Sequence, residues 1–455
     1  MQGQGFRAIH NKKRSFHLSA TQIIALMFLG IILLGTLLLM LPVASANGER
    51  KSFLDCLFTA TSATCVTGLT VGDTGTIWSG FGQTVIIVMI ELGGLGFMSA
   101  AAMMFFLVGK KLGLRQRMLV AQALSLEDME SVVRIQKLVI GGSLAIQGVG
   151  ALILLLRFWP EFGFAAALKY GLFHSISAFC NAGFDIFGNN NSVMSFNQDP
   201  VVMVTLMLLV TVGGLGFFVW EEVLRVRSFK KCSVYTKLVL VTSLTLTLLG
   251  TVVTLLLEWN NPATLGNMSW GGKILNSLFQ SVTLRTAGFA AIDQALLTEG
   301  SKGFSVVLML IGGSSGSTAG GIKTVTFMVL LLFIGARIRG RESVNVFKRR
   351  IPEKKVLDAM TIIGIVTGLC MAGAVVIAAS SPVGFADSLY ESASALGTVG
   401  LTAGVTPFLS LTGRLIIIVF MYFGRVGVLT LSMGFLLGDR ARQRYQYAET
   451  NLLIG

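Results

Sequence analysis

Charge is what this sequence has least of. Only 13% of its 455 residues are Asp, Glu, Lys or Arg, about half the roughly 25% usual in a soluble domain. A water-facing surface cannot be assembled from so few, which excludes an ordinary soluble enzyme. Proline is scarce, at 7 residues. The five cysteines (Cys56, Cys65, Cys180, Cys232 and Cys370) include no CxxC pair, so neither a zinc site nor a disulfide framework is indicated. The three histidines (His10, His17 and His174) stand far apart, with no HExxH spacing. No nucleophile–base pair is evident either. What is abundant is apolar: 53% of residues are hydrophobic, glycine numbers 53, and the mean hydropathy is +0.76. Such hydrophobicity excludes a disordered chain and leaves a polytopic membrane protein.

The net charge of +14 would suggest nucleic acid in a soluble protein. Here the basic residues lie between long apolar runs, so the membrane explains them and no nucleic-acid partner is expected. Eight segments are long enough to span a bilayer, which takes about 20 apolar residues: roughly 20–43, 79–108, 138–159, 200–224, 238–258, 303–335, 356–380 and 410–437. The basic stretch before the first, with no small-residue cleavage site, reads as a cytoplasmic N-terminus ahead of a retained span. Four shorter apolar stretches, near 52–66, 169–181, 272–285 and 385–398, predict helices of about ten residues. At 1.5 Å per residue these enter the membrane without crossing it.

The short stretches end in related words: FTATSATCVTGL from Phe58, FHSISAFCNAGF from Phe173, FQSVTLRTAGF from Phe279 and YESASALGTVGL from Tyr390. Each opens on an aromatic residue, continues through Ser or Thr, and closes on a turn at Gly68, Gly183, Gly288 or Gly400. A second feature follows 24 to 30 residues after each of these glycines: GGLGF at 93–97, GGLGF at 213–217, GGSSGSTAGG at 312–321 and GRVG at 424–427. Two signals recurring in one order mark internal duplication. The expected fold is an all-α membrane protein of four span–short helix–span repeats around one central pore, with eight transmembrane helices and four re-entrant loops. The divisions are a cytoplasmic N-terminus (1–18), repeats at 19–109, 110–227, 228–336 and 337–438, and a cytoplasmic tail (439–455). The N-terminus, the segments 109–137, 225–237 and 336–355, and the tail hold 26 of the 36 basic residues. The positive-inside rule therefore puts both termini in the cytoplasm and brings all four loops in from outside. Two spans per repeat make the repeats parallel, whereas secondary transporters commonly invert theirs.

Irregular backbone at membrane depth is tolerated only when buried in protein or lining water. Four such turns on one axis can pool carbonyl oxygens into a ring that replaces a cation's hydration shell. Glycine supplies the backbone angles this demands, and the short helices aim their negative ends inward. The expected filter residues are Thr67, Gly68, Ala182, Gly183, Ala287, Gly288, Val399 and Gly400, with the ion at the carbonyls of Val66, Asn181, Thr286 and Thr398. Close-packing glycines of the GxxxG kind are the alternative.

In the sixth span, Ile311 to Lys323 read IGGSSGSTAGGIK. Each glycine costs a helix about 1 kcal/mol, so this stretch is expected to unwind into a gate loop below the filter. It contains Gly312, Gly313, Ser314, Ser315, Gly316, Ser317, Thr318, Gly320 and Gly321. A kinked, tightly packed helix is the other reading. Arg425, in the eighth span, needs partners at that depth. The freed loop carbonyls would serve; snorkelling, or pairing with Glu91, are alternatives. Lys323 either places charge near the inner pore or snorkels. Arg285 braces the third turn or reduces the local negative potential. Asp55, His174, Asn276 and Glu391 are read as packing or hydrogen-bonding residues. The inner basic face, with Arg349, Arg350, Lys354 and Lys355 and the tail residues Arg440, Arg442 and Arg444, either follows the positive-inside rule alone or docks a cytosolic ring.

The words TCVTGL, FCNAGF, RTAGF and GTVGL, the Gly-rich interruption and Arg425 together resemble the Trk/Ktr/HKT superfamily of cation transporters, most of all its KtrB-type membrane subunits, from about residue 20 to 440. The resemblance implies potassium uptake across the plasma (bacterial inner) membrane, with the loop as gate and sodium as a second ion, by dependence or symport. It also implies a homodimer with one pore per subunit, a cytosolic RCK-type (KtrA-like) ring that carries the nucleotide, and no covalent cofactor. Each turn has one signature glycine instead of the GYG of potassium channels, so looser selectivity is expected. The alternatives are an ion-coupled secondary transporter of another cation or solute and, more remotely, a membrane-embedded enzyme.

Overall fold

The computed structural model describes residues 20–96 and 130–427. Expectations for the N-terminus, for 97–129 and for the tail with Arg440, Arg442 and Arg444 lie outside the described residues. Among the described residues, four helices are long and apolar enough to cross a bilayer: Gln22–Leu39, Leu138–Phe162, Val234–Glu258 and Glu353–Ser380. Their outer faces carry exposed Leu37, Leu156, Leu256 and Val375. The interior, itself largely apolar, also buries hydroxyls, including Thr59, Thr61, Ser175 and Ser392. An apolar exterior over an interior that carries many hydroxyls suits a lipid surround.

The four short helices form at Phe53–Thr64, Phe164–Phe179, Trp270–Thr283 and Phe385–Gly397. They run 12 to 16 residues, or about 18–24 Å, less than the ~30 Å hydrocarbon core. The second begins earlier than 169, because Gly163 at φ 76° breaks the preceding long helix there. Ser52 and Ser269 cap the first and third by accepting from the N–H groups of Asp55 and Gly272.

Each short helix packs on the long helix that precedes it: Ala20–Leu39, Glu130–Phe162, Val234–Glu258 or Glu353–Ser380. Each also packs on an element from the preceding quarter of the chain. The second touches Gly80–Gly94, the third Pro200–Leu215, the fourth Glu299–Leu310, and the first Leu411–Val426. The last contact closes the cycle.

Residues 200–224, expected as one span, form two helices, Pro200–Leu215 and Phe217–Val226, bent by 94°. Gly216 turns the chain at φ 94°, and the Phe217 N–H donates to the Gly316 carbonyl at 2.9 Å, outside its own helix. The sixth segment divides into Glu299–Leu310 and Thr324–Ile338, with 311–323 non-helical between them. That excursion is pinched at its neck: Gly312 N–H donates to Ile322 O (2.8 Å) and Ile322 N–H to Leu310 O (3.1 Å). On the basic segment 336–355, a two-stranded hairpin pairs Asn345 with Arg350 and Val346 with Arg349.

Candidate functional site: a ring of four glycines

Beyond each short helix the backbone takes the same course. Val66, Asn181, Thr286 and Thr398 lie at φ 57°, 59°, 73° and 51°, and the glycines two residues on at 97°, 69°, 79° and 92°. Left-handed angles are costly for β-branched Val66, Thr286 and Thr398. Such strain, about 1–3 kcal/mol per residue, persists where surroundings over-determine it and gathers at functional sites. Two left-handed residues flanking an ordinary one turn successive carbonyls to the same side.

The four turns meet in a closed ring. The face of Gly68 that a Cβ would occupy lies on the Ala182 carbonyl; that of Gly183 lies on Ala287 O, Gly288 on Val399 O, and Gly400 on Thr67 O. Each turn leans on the next in one rotational sense. Any side chain at these glycines would drive into a ring carbonyl as well as straining its own backbone. All eight expected filter residues therefore share one small ring. On one side the glycines floor a vestibule of about 380 Å³ that is also lined by Asp185, Asp293, Gln294 and Thr402. Its lining includes two carboxylates and no Lys or Arg, which favours a cation.

The excursion at 311–323 lies on the other side. Gly320 rests on the side chain of Thr398, and Gly321 on the Gly397 carbonyl. Fully buried Thr318 donates its hydroxyl to Phe179 O at 3.1 Å, at the end of the second short helix. Its N–H donates to Gly213 O (3.3 Å), and the Ser314 N–H to Gly214 O (3.1 Å). Ser315 O accepts from the Tyr235 hydroxyl at 2.9 Å. Ser317 donates within the loop to Ser314 O at 2.6 Å, and Gly313 packs against the Gly214 carbonyl. The loop is thus docked between the ring and the bend at Gly216.

Arg425 donates to the Thr318 carbonyl in this loop, and also to Gly93 O and to Gly94 O at 2.9 Å. It does not pair with Glu91. That carboxylate accepts instead from Gln147 (2.9 Å) and the Cys180 thiol (3.2 Å), on two other helices. Lys323 bends back to donate to Ala319 O at 2.8 Å, so it does not snorkel. Arg285 turns away from the ring and clamps Ser243 O and the Thr247 hydroxyl at 3.1 and 3.3 Å, bracing the third turn against the Val234–Glu258 helix. Asp55 pairs with Arg414 at 2.9 Å. The Asn276 amide donates to Asn197 O at 2.8 Å. His174 bonds Tyr170 O at 2.7 Å, and Glu391 accepts from the Thr402 and Thr406 hydroxyls.

Sequence reasoning missed two features. The repeated glycines Gly93, Gly213 and Gly424 seat their helices on the carbonyls of Thr64, Phe179 and Leu396, the seventh residue of each turn word. Equal word positions were the available signal. The second is a cross-link between neighbouring turns, where the Asn181 amide and the Thr286 hydroxyl are 3.1 Å apart. One asparagine among Val66, Thr286 and Thr398 was the only hint.

A family model described as TrkH, cation transport protein, matches residues 4–439. The Ktr system potassium uptake protein B of Bacillus subtilis (strain 168) is 40% identical over 94% of this chain and 95% of its own. The potassium/sodium uptake protein NtpJ of Enterococcus hirae is 38% identical over 98% and 100%. The crystal structure of the potassium transporter TrkH from Vibrio parahaemolyticus superposes with a TM-score of 0.71 at 19% identity, covering 94% of this chain and 86% of that one.

Proposed function

The chain belongs to the TrkH family of cation transport proteins, a multi-pass membrane protein and not an enzyme, and on that premise we propose that it conducts potassium into the cell through the glycine ring. The observation that carries this reading is the closed ring itself, a set of peptide carbonyls with an acidic vestibule on one face. Oxygens so arranged can exchange for the water around an alkali ion. The B. subtilis and V. alginolyticus relatives, both named Ktr system potassium uptake protein B, support potassium as that ion. The potassium/sodium uptake protein of E. hirae supports sodium as a second one.

In this reading Thr67, Gly68, Ala182, Gly183, Ala287, Gly288, Val399 and Gly400 are the filter, with ions also at the carbonyls of Val66, Asn181, Thr286 and Thr398. The loop from Gly312 to Gly321 blocks the pathway below, held by Arg425. Four span–short helix–span repeats surround the pore, both termini face the cytoplasm, and the vestibule opens outside. The chain works as a homodimer beneath which a cytosolic RCK-type ring senses nucleotide and moves the loop. The basic hairpin near Arg349 and Arg350 is the described surface that suits such a ring.

The test is potassium and sodium flux into liposomes, comparing wild type with Gly288→Ser. The variant is expected to lose at least tenfold in preference for potassium; undiminished preference would remove the filter reading.

A further inference from the structure

Counted from its opening aromatic residue, the fifth position of each turn word is Ser62, Ser177, Thr283 or Ser394, and all four are buried. Their carbonyls each accept from the residue before the glycine: Thr67, Ala182 and Val399 N–H at 2.8 Å and Ala287 N–H at 3.0 Å. A trans peptide points its C=O opposite its N–H. These bonds therefore turn the carbonyls of Val66, Asn181, Thr286 and Thr398 away from their short helices.

The side chains then do two different things. Ser62 and Ser394 accept from the N–H of Gly68 and Gly400, both at 3.0 Å. By the same peptide geometry, the Thr67 and Val399 carbonyls are held outward onto the ring, where they meet Gly400 and Gly288. Ser177 and Thr283 instead donate to Phe184 O and Phe289 O, both at 2.7 Å. Those carbonyls, one residue beyond the glycine, are drawn back against the short helix. The split follows the words, which read Gly–Leu in the first and fourth turns and Gly–Phe in the second and third.

We propose that these four hydroxyls are specificity-determining positioning residues, and that they divide the ring into unlike halves. The first and fourth turns fix ring carbonyls through a hydroxyl on the glycine N–H, whereas the Gly288 N–H reaches only the Thr283 backbone carbonyl, at 3.4 Å. The second and third withdraw the carbonyl above the ring and so set its depth. An oxygen held by a second bond cannot follow a smaller ion inward, and discrimination against sodium comes from that stiffness. The inference rests on the reading of the ring as a potassium filter.

The test measures KM and maximal rate for potassium, and potassium-over-sodium preference, in liposomes holding Ser62→Ala, Ser62→Thr, Thr283→Val or Thr283→Ser, with Gly288→Ser alongside. Variants that elute from size exclusion as wild type are compared, and Ser394→Ala replaces Ser62→Ala if that protein fails to fold. Ser62→Ala and Thr283→Val are expected to raise KM and lower preference about five- to tenfold, the scale of one lost hydrogen bond, with maximal rate within about twofold. Ser62→Thr and Thr283→Ser, which keep the oxygen, should resemble wild type. Wild-type KM and preference in the hydroxyl-free variants, while Gly288→Ser loses preference, overturns the inference and leaves the filter standing. Equal loss in Ser62→Thr and Ser62→Ala marks a packing effect and also overturns it. Full preference in Gly288→Ser removes the reading underneath.

Discussion

Gly93 lies so close to the carbonyl oxygen of Thr64 that a methyl group on the glycine would overlap it. Gly213 meets Phe179 and Gly424 meets Leu396 in the same way. In three quarters of the molecule, therefore, the backbone of one helix sits directly on the carbonyl end of a short helix, and the short helix cannot slide along its axis. Gly93→Ala should destabilise the protein by about 1–3 kcal/mol, the usual cost of overpacking. Gly148→Ala has open space around it and should be neutral or gain about 0.5–1 kcal/mol from helix propensity. Thermal unfolding in detergent compares them; equal shifts would dismiss the contact.

Arg425 joins Thr318 to Gly93 and Gly94, tying the loop to a helix far away in the chain. Arg425→Ala and deletion of residues 314–318 should each raise potassium flux. If both act through loop position, the double variant will exceed the deletion alone by little, since effects within one network do not add. Flux in Arg425→Ala identical to wild type would remove this role, and fully multiplicative effects would separate the arginine from the loop.

Gln294 gathers two neighbouring turns. Its amide oxygen accepts from Gln280 at 2.6 Å and from the Tyr390 hydroxyl at 2.9 Å, all three side chains being buried. Tyr390→Phe removes one donor and leaves the acceptor still bonded, so it should cost about 1 kcal/mol. Gln294→Leu strands both donors and should cost at least twice as much, at about 2–4 kcal/mol. Reversal of that order in urea or thermal unfolding would contradict the bonding scheme.

Asp55 and Arg414 join the first short helix to the Leu411–Val426 helix at 2.9 Å, with side chains 35% and 24% exposed. This is the contact that closes the cycle of short helices, but its partial exposure limits its strength. A double-mutant cycle of Asp55→Asn and Arg414→Gln should give a coupling of about 0.2–1 kcal/mol, shrinking as salt rises. No coupling, with a cost in Arg414→Gln alone, would point to the Arg414 bond to Pro407 O as the operative one.

Much of this architecture was legible because left-handed backbone leaves a mark. Gly68, Gly183, Gly288 and Gly400 stand where few other residues could, and repetition made them visible together. The non-helical stretch at 311–323 was equally plain, since five glycines in thirteen residues cannot hold a helix in an apolar run. The bend at Gly216 was not legible. Residues 200–220 carry no charge to mark a boundary, and the chain leaving the first helix is held by a carbonyl at Gly316, about a hundred positions downstream. The alternative partner for Arg425, Glu91, fails for a related reason. Opposite charges at similar depth invite pairing, but its partners are an uncharged amide and a thiol whose approach depends on how three helices pack. Local backbone chemistry could be read directly, whereas contacts between distant segments needed coordinates.

A pore assembled from four identical chains alters its aperture in quadruplicate with every substitution. Here the ring is written four times along one chain, so each quadrant can be changed alone. Asn181 can bridge to Thr286 without a counterpart elsewhere, and one turn can carry a serine where its neighbour carries a threonine. The four sides of the ring are free to diverge, and a single codon is enough to make it lopsided.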